Sequence, residues 1–388
     1  MEILFISHKY PPTTGGMEKH SYELVAGMKK CGPVHSLIYK GVGSRFGFFL
    51  ALRKNIKRIL DHHPNITLIH FNDALIATYY LLCCRFHSQI KHAVTIHGLD
   101  VVFPSYLYRK FMLPKLNRFD LILAVSSATA QAARDLGIRA EKIRVISNGV
   151  DEKIPKHKFS LSFYDDFQTR YHLDIREKKL LVALGRPVKR KGFSWFIENV
   201  MPQLEHDYLL LLIGPFHWKP TKQERFLKFL PPFIRNKFSL FLGAPTDEPK
   251  LRALLHKPEI RKRAKHLGRL PFDEILNILH HARAFIMPNI EVKGDMEGFG
   301  LVCLEAALCG TTVLASCTGG IPDAIKHGKN GYLLAAEQAE EWVIKLNEVM
   351  KQPIDEEKIK ISINYTKRHY SWKKMVKTYY QAFLDLVD

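Results

Sequence analysis

The sequence predicts an α/β protein of two domains, each built on a parallel sheet with helices on both faces. Short uncharged apolar runs alternate with longer amphipathic stretches along most of the chain, and repeated strand–helix units imply such a sheet. A chain of 388 residues is too long for one ordinary core, so two domains are expected. Apolar residues make up 46% of it, as in a globular protein, and no internal repeat or low-complexity tract interrupts the pattern.

The elements follow in order. Glu2–Ser7 is a short apolar run without a basic leader, so it reads as a first strand and not as a signal peptide. Residues Tyr10 to Glu18, with Gly15 and Gly16 adjacent, form a turn before a helix from about Glu18 to Lys30, where Leu24, Val25 and Met28 share a face. Strands are expected at Val34–Tyr39, Thr67–Phe71, Ala93–His97, Leu121–Ser126 and Ile143–Ile146. Helices are expected between them at Phe48–Leu60, Ala74–Phe86, Tyr106–Leu116 and Ser127–Leu136. The first domain therefore spans 1–152. Residues 153–178 lack a clear period and contain Pro155, so they read as a linker. The second domain, 179–367, opens on strand Leu180–Leu184 and helix Phe193–Leu204, then strand Tyr208–Ile213. It resumes at His266–Leu270 with helix Phe272–Ala282, a strand ending at Met287, and strand Thr312–Ala315. Glu356–Val387 is helical in period.

Ligands of parallel sheets sit at the carboxyl ends of strands, so residues there are the candidates for chemistry. His97 stands at such an end. Gly15-Gly16 is a strand–turn–helix junction where a phosphate could approach the backbone, although no P-loop lysine follows. Gly185-Arg186-Pro187-Val188-Lys189-Arg190-Lys191-Gly192 places four cations between a strand and a helix N-terminus, a positive site suited to a diphosphate. Met287–Glu305 runs from strand through loop into a helix expected to start near Phe299, with Gly298 and Gly300 beside it. The free N–H groups of such a helix start bind anions. Glu297 and Glu305, seven residues apart in the interval, bracket this turn. Ser126, before a helix, has no nucleophile elbow around it.

The string Glu-Gly-Phe-Gly-Leu-Val-Cys-Leu-Glu-Ala from Glu297 to Ala306 resembles the Glu-x7-Glu signature of retaining nucleotide-sugar glycosyltransferases with the GT-B fold, family 4. Other strings agree in family order: Tyr-Pro-Pro-x-x-Gly-Gly-Met-Glu, the His97-Gly98-Leu99-Asp100 turn, Asn148-Gly149-Val150-Asp151, Gly-Arg-x4-Lys-Gly from Gly185, and Thr318-Gly319-Gly320. The resemblance implies two Rossmann-like domains with a ligand cleft between them, and a final helix, about 368–388, that crosses back to the first domain. It implies that Arg186 and Lys191 hold the donor diphosphate, with Gly185, Gly298, Phe299, Gly300 and Leu301 around it. Glu297 is expected on the donor sugar, Glu305 on the ribose, Arg269 and Leu270 at the base, His97 near the reacting carbon, and Gly15 and Gly16 at the donor phosphate and acceptor. No cofactor is implied, and no carboxylate or histidine cluster with metal-ligand spacing is visible in the sequence.

Lys plus Arg number 58 and Asp plus Glu 38, a formal charge of +20, which calls for an anionic partner. Three stretches combine cations with large apolar side chains: Arg45–Arg58, with Phe49, Leu52, Ile56 and Ile59 at helical spacing, Tyr106–Arg118, and His217–Arg263. They predict docking on an anionic membrane and hence a glycan or lipid-linked acceptor, in polysaccharide, lipopolysaccharide or glycolipid synthesis. The partners expected are a nucleotide-sugar donor, that acceptor and the membrane surface, with no nucleic acid as substrate. The longest apolar run, Ala74–Cys84, is too short to span a bilayer. The six cysteines form no C-x-x-C pair and read as buried free thiols, so the expected location is cytoplasmic, at most peripheral on the inner membrane face. The competing readings are a basic, non-enzymatic RNA- or membrane-binding protein, which leaves the ordered motifs unexplained, and a GT-B epimerase or phosphorylase. For a phosphorylase no pyridoxal-phosphate lysine motif is present.

Overall fold

A computed structural model describes residues 1–84, 86–152, 162–205, 207–221, 225 and 246–388. The chain forms two compact units, Met1–Val150 with Tyr370–Asp388, and Asp151–His369.

The first unit holds strands β1 (Glu2–Ser7), β2 (Val34–Ile38), β3 (Ile66–Phe71), β4 (Lys91–Ile96), β5 (Leu121–Ala124) and β6 (Ile143–Val145) in one parallel sheet, order β2-β1-β3-β4-β5-β6. Leu4 lies level with His35 on one side and with Ile69 on the other. Helices α1 (Gly16–Met28), α2 (Arg45–His62), α3 (Ala74–Cys83), α4 (Leu99–Val102) and α5 (Ser127–Asp135) join them. The inner strands β1, β3, β4 and β5 are buried along nearly their whole length because helices cover both faces, and they are mostly apolar, with His70, His92 and Thr95 among the buried polar exceptions. On one face Leu52 and Ile56 of α2, Ile76 and Tyr80 of α3, and Phe71 and Phe119 form a continuous core.

The second unit has strands β7 (Lys179–Leu184), β8 (Tyr208–Ile213), β9 (Ala264–Gly268), β10 (Ala284–Met287), β11 (Thr312–Ser316) and β12 (Tyr332–Leu334), all parallel, order β12-β11-β10-β7-β8-β9. The order reverses between β7 and β10, and at such a switch point the two loops leaving the strands diverge and open a crevice. One core under the sheet contains Leu180, Val182, Phe285 and Met287, and the other face packs Phe196, Leu210, Ile286 and Trp342.

Several elements differ from expectation for identifiable reasons. The stretch expected as linker contains helix α6 (Ser162–Tyr171), whose Phe163 and Phe167 are buried with Ile175 in the core of the second unit. Residues 153–161 lie outside the described residues. The helix expected at Tyr106–Leu116 is instead a π-helical turn, Tyr108–Met112, followed by a 3₁₀ segment, Leu113–Arg118. Pro114 has no N–H to give to an α-helix there. The C-terminal helical pattern breaks into Glu356–His369 and Trp372–Val387. The Ser371 hydroxyl caps the second by accepting from Lys374 N at 3.1 Å. That last helix packs on α1 so closely that a Cβ at Gly27 would run into Val376. All six cysteines are free, but only Cys303 and Cys309 are buried. Cys31, Cys83 and Cys317 are exposed, so the expectation of buried thiols fails for those three. No helix among the described residues is long and apolar enough to cross a membrane.

Candidate active site

In the second unit the loops leaving β7 and β10 meet at the switch point. Gly185 N–H donates to Ile213 O at 2.9 Å, which ends β7 beside β8. The loop then makes a 3₁₀ turn, Lys189–Lys191, and enters helix α7 (Phe193–Asn199) through Gly192 at φ 63°. A Cβ at Gly192 would run into the Pro288 carbonyl oxygen, so glycine is what lets the two loops touch. Ile290 N–H also donates to Arg190 O at 2.9 Å, bonding one loop to the other.

The buried ammonium of Lys191 thereby lies 2.8 Å from Glu297 Oε2. The Arg190 guanidinium sits between Asp295, at 3.1 Å, and Glu297, at 3.4 Å. Asn289 Nδ2 donates to Glu297 at 3.5 Å. Burial alone would raise the Glu297 carboxyl, but Lys191 and Arg190 overcome it and hold the group down at about 2. Glu297 is therefore an anion clamped by two cations. Gly320 N–H donates to its backbone carbonyl at 2.8 Å, which brings the 318–320 turn against it. Beside them is an open cavity of about 490 Å³, with Arg190, Asn289, Asp295, Glu297, Thr318 and Gly319 on its wall.

Helix Leu301–Leu308 starts directly after Gly300, which is left-handed at φ 91°. The expected start near Phe299 is displaced by two residues, and Phe299 is buried. Glu305 lies half-buried on this helix. Arg186 is exposed and makes no ion pair with a described residue, so the fold joins Lys191 to Glu297 but not Arg186. Arg269 is exposed after β9, while Leu270 packs on the core. Arg190, Asp295 and Asn289 were not singled out from the sequence as site residues. Asp295 stands in the loop between β10 and helix Leu301–Leu308, two residues before Glu297, and that proximity was the available signal.

In the first unit His97 stands directly after β4 and is nearly buried. Its Nε2 donates to Asn72 O at 2.8 Å, so the other ring nitrogen is the acceptor in the neutral tautomer. Its backbone N–H donates to Asp100 Oδ1 at 2.8 Å, and Asp100 also accepts from Ala74 N at 3.0 Å. The ring meets His20 of α1 edge-on at 4.9 Å, and His20 Nδ1 bonds Asn148 Oδ1 at 2.8 Å. Burial, with His97 and His70 as neighbours, pushes the His20 imidazole well below its usual range. His8, after β1, pairs with Asp73, after β3, at 3.0 Å. The carboxyl ends of β1, β3 and β4 thus share one buried polar cluster, of which the sequence supplied only His97. Gly15 precedes α1, and the Glu18 carboxylate lies over it. A Cβ at Gly15 would collide with that carboxylate. Gly16 is exposed at the helix start. Ser126 is a buried cap, its hydroxyl accepting from Thr129 N at 3.2 Å.

The chain matches two family models, "Glycosyl transferases group 1" over residues 166–368 and "Glycosyltransferase Family 4" over 14–153. It is 25% identical over 270 residues to a putative colanic acid biosynthesis glycosyltransferase, WcaL, of Salmonella typhimurium, covering 66% of this chain and 55% of that one. The chain therefore spans about half the length of this curated relative. Among solved structures it resembles Anabaena HepE in complex with UDP-glucose, at 18% identity and TM-score 0.68, over 99% of this chain and 100% of that one. It also resembles a sucrose-phosphate synthase from Thermosynechococcus elongatus, at 17% identity and TM-score 0.71, over 100% and 99%. These likenesses establish the fold, two parallel α/β units of the GT-B kind.

Proposed function

The chain belongs to the group 1 glycosyltransferases, and from that premise we propose that it is a retaining, metal-independent glycosyltransferase using a nucleoside-diphosphate sugar. The observation that carries this is the Lys191–Glu297 pair at the switch point of the second unit, 2.8 Å apart. A buried ammonium beside the start of α7 suits the charge that develops as a diphosphate leaves. Arg186, exposed on the same loop, is free to swing onto the phosphates when the donor arrives. Glu297, kept ionised by its two cations, accepts hydrogen bonds from sugar hydroxyls. Glu305 is the candidate for the ribose, and Arg269 and Leu270 for the base. The structure of Anabaena HepE holds UDP-glucose, which supports a nucleotide-sugar donor here.

In the proposed reaction the bond from the anomeric carbon to the donor phosphate breaks, and a bond from that carbon to the acceptor oxygen forms on the same face. The acceptor proton passes to the leaving phosphate. His97 holds a sugar hydroxyl near the reacting carbon. The acceptor is a glycan or lipid-linked glycan of surface polysaccharide assembly, a reading supported by the kinship with a colanic acid enzyme.

The test is a thermal-shift screen of nucleoside diphosphates and their sugars, followed by donor hydrolysis without acceptor. A ligand that binds only the native state stabilises it, by about 2.7 kcal/mol at a hundred times Kd. One nucleoside diphosphate should raise the midpoint, and its sugar should release that diphosphate slowly. No shift with any nucleotide and no release would discard the reading in favour of a non-enzymatic basic protein.

A further inference from the structure

The first unit carries a cluster that the reading above does not use. Glu2 opens β1, His35 lies on β2, and His63 follows the last turn of α2. They are far apart in sequence, so no ligand spacing shows there. The fold places one ligand atom of each within 4.8 Å of the others. His35 Nε2 meets Glu2 Oε1 at 2.6 Å, and the His35 and His63 rings stack at 3.8 Å. The three side chains are half-buried, so they are ordered yet reachable from solvent.

We propose that Glu2, His35 and His63 form a divalent transition-metal site, with zinc as the best-suited ion. Two imidazoles and one carboxylate are a common zinc set, with a water left to complete the tetrahedron. Bonds of about 2.0–2.2 Å require ligand atoms roughly 3.4 Å apart. The Glu2–His35 pair must open by under about an ångström, the widest pair close by less than about 1.5 Å, and the two imidazoles turn out of their stack so that an in-plane lone pair of each meets the ion. The ion would take the place of the His35–Glu2 hydrogen bond, in keeping with the need for deprotonated ligands. Hard cations such as magnesium favour all-oxygen sets and fit poorly.

The place in the fold sets the role. Glu2 starts its strand, and His63 ends the helix that feeds β3, so the cluster lies at the amino ends of the strands. His97 and the Gly15 loop lie at the carboxyl ends, where ligands of such sheets bind. The metal would therefore tie α2 to β1 and β2 without entering the transfer reaction. The inference stands whether or not the proposed activity is right.

The experiment uses untagged full-length protein, stripped with chelator and titrated with zinc by calorimetry and thermal unfolding. Cobalt(II) serves as the optical probe. One zinc per chain is expected, with a higher unfolding midpoint and the intense visible bands of four-coordinate cobalt. Glu2→Gln and His63→Gln should each weaken binding at least tenfold and remove those bands, while their metal-free midpoints stay near that of the metal-free parent. Absence of stoichiometric binding would overturn the proposal. So would binding unchanged in both variants, which would assign the metal to other histidines.

Discussion

At Lys191 the structure asks one side chain to serve two partners. Its ammonium is buried and already paired with Glu297. Truncation removes the cation expected at the leaving diphosphate and leaves Glu297 with the longer contacts to Arg190 and Asn289. Lys191→Ala should lower kcat/KM by about 10²-fold or more, as loss of one preorganised charge contact does at other sites. Steady-state kinetics on purified, folded variant checks this, and near-normal turnover would remove Lys191 from the site. The same measurement on Glu297→Ala should show a fall chiefly in kcat, and on Glu305→Ala a rise chiefly in KM, because Glu297 stands in the loop before helix Leu301–Leu308 and Glu305 about one turn into it. The reversed pattern would exchange the two roles. Lys191, Glu297 and His97 were legible in the sequence because each stands in a short motif beside a strand end. Arg190 and Asp295 were less so. Their pairing spans 105 residues and exists only because β7 and β10 are neighbours, which the sequence does not announce.

The elements were more legible than their contacts. Apolar runs marked most of the strands because a strand covered on both faces is apolar at nearly every position, with exceptions such as His70 and Thr95, which bond each other. Helix α6 was missed, since a short amphipathic helix with Phe163 and Phe167 as its only buried residues leaves little periodic signal. On α2 the apolar side chains expected to meet a membrane turn inward. Leu52 and Ile56 are buried, and Phe49 and Ile59 pack partly against the core. Turns are where element placement is fixed, and Gly192 is the sharpest case. Its φ of 63° and its contact with Pro288 O leave no space for a side chain. Gly192→Ala should force the β7 and β10 loops apart, lower the unfolding midpoint by several degrees, and reduce donor affinity more than tenfold. The strain of a left-handed alanine adds to the collision, each costing on the order of 1 kcal/mol or more. Denaturation and nucleotide titration of the variant test this together, and an unchanged midpoint would show that the loops do not meet there.

Over the whole molecule the dominant feature is the formal charge of +20, far above what solubility needs. Part of it lies beside large apolar side chains in the first unit. Phe46 and Leu50 of α2 are 72% and 63% exposed, next to exposed Arg53, Lys54, Lys57 and Arg58. Tyr106, Leu107 and Phe111 are 62%, 66% and 53% exposed in a stretch that also carries Lys110, Lys115 and Arg118 and has no acid. About half of the third basic stretch, 222–224 and 226–245, lies outside the described residues. Water gives neither kind of side chain a reason to gather with the other, whereas an anionic bilayer rewards both. Each basic residue near its surface contributes about 1 kcal/mol, and apolar tips enter the headgroup region. The protein should therefore co-sediment with vesicles containing anionic lipid at low salt, release at high salt because the Debye length shrinks to about 3 Å at 1 M, and ignore neutral vesicles. Phe46→Ser with Leu50→Ser should weaken binding without changing the unfolding midpoint, since both side chains are already in water. Equal binding to neutral and anionic vesicles, or none to either, would remove the membrane from the proposal. Full-rate transfer to a soluble acceptor in the absence of lipid would remove the lipid-linked acceptor while leaving the donor chemistry intact.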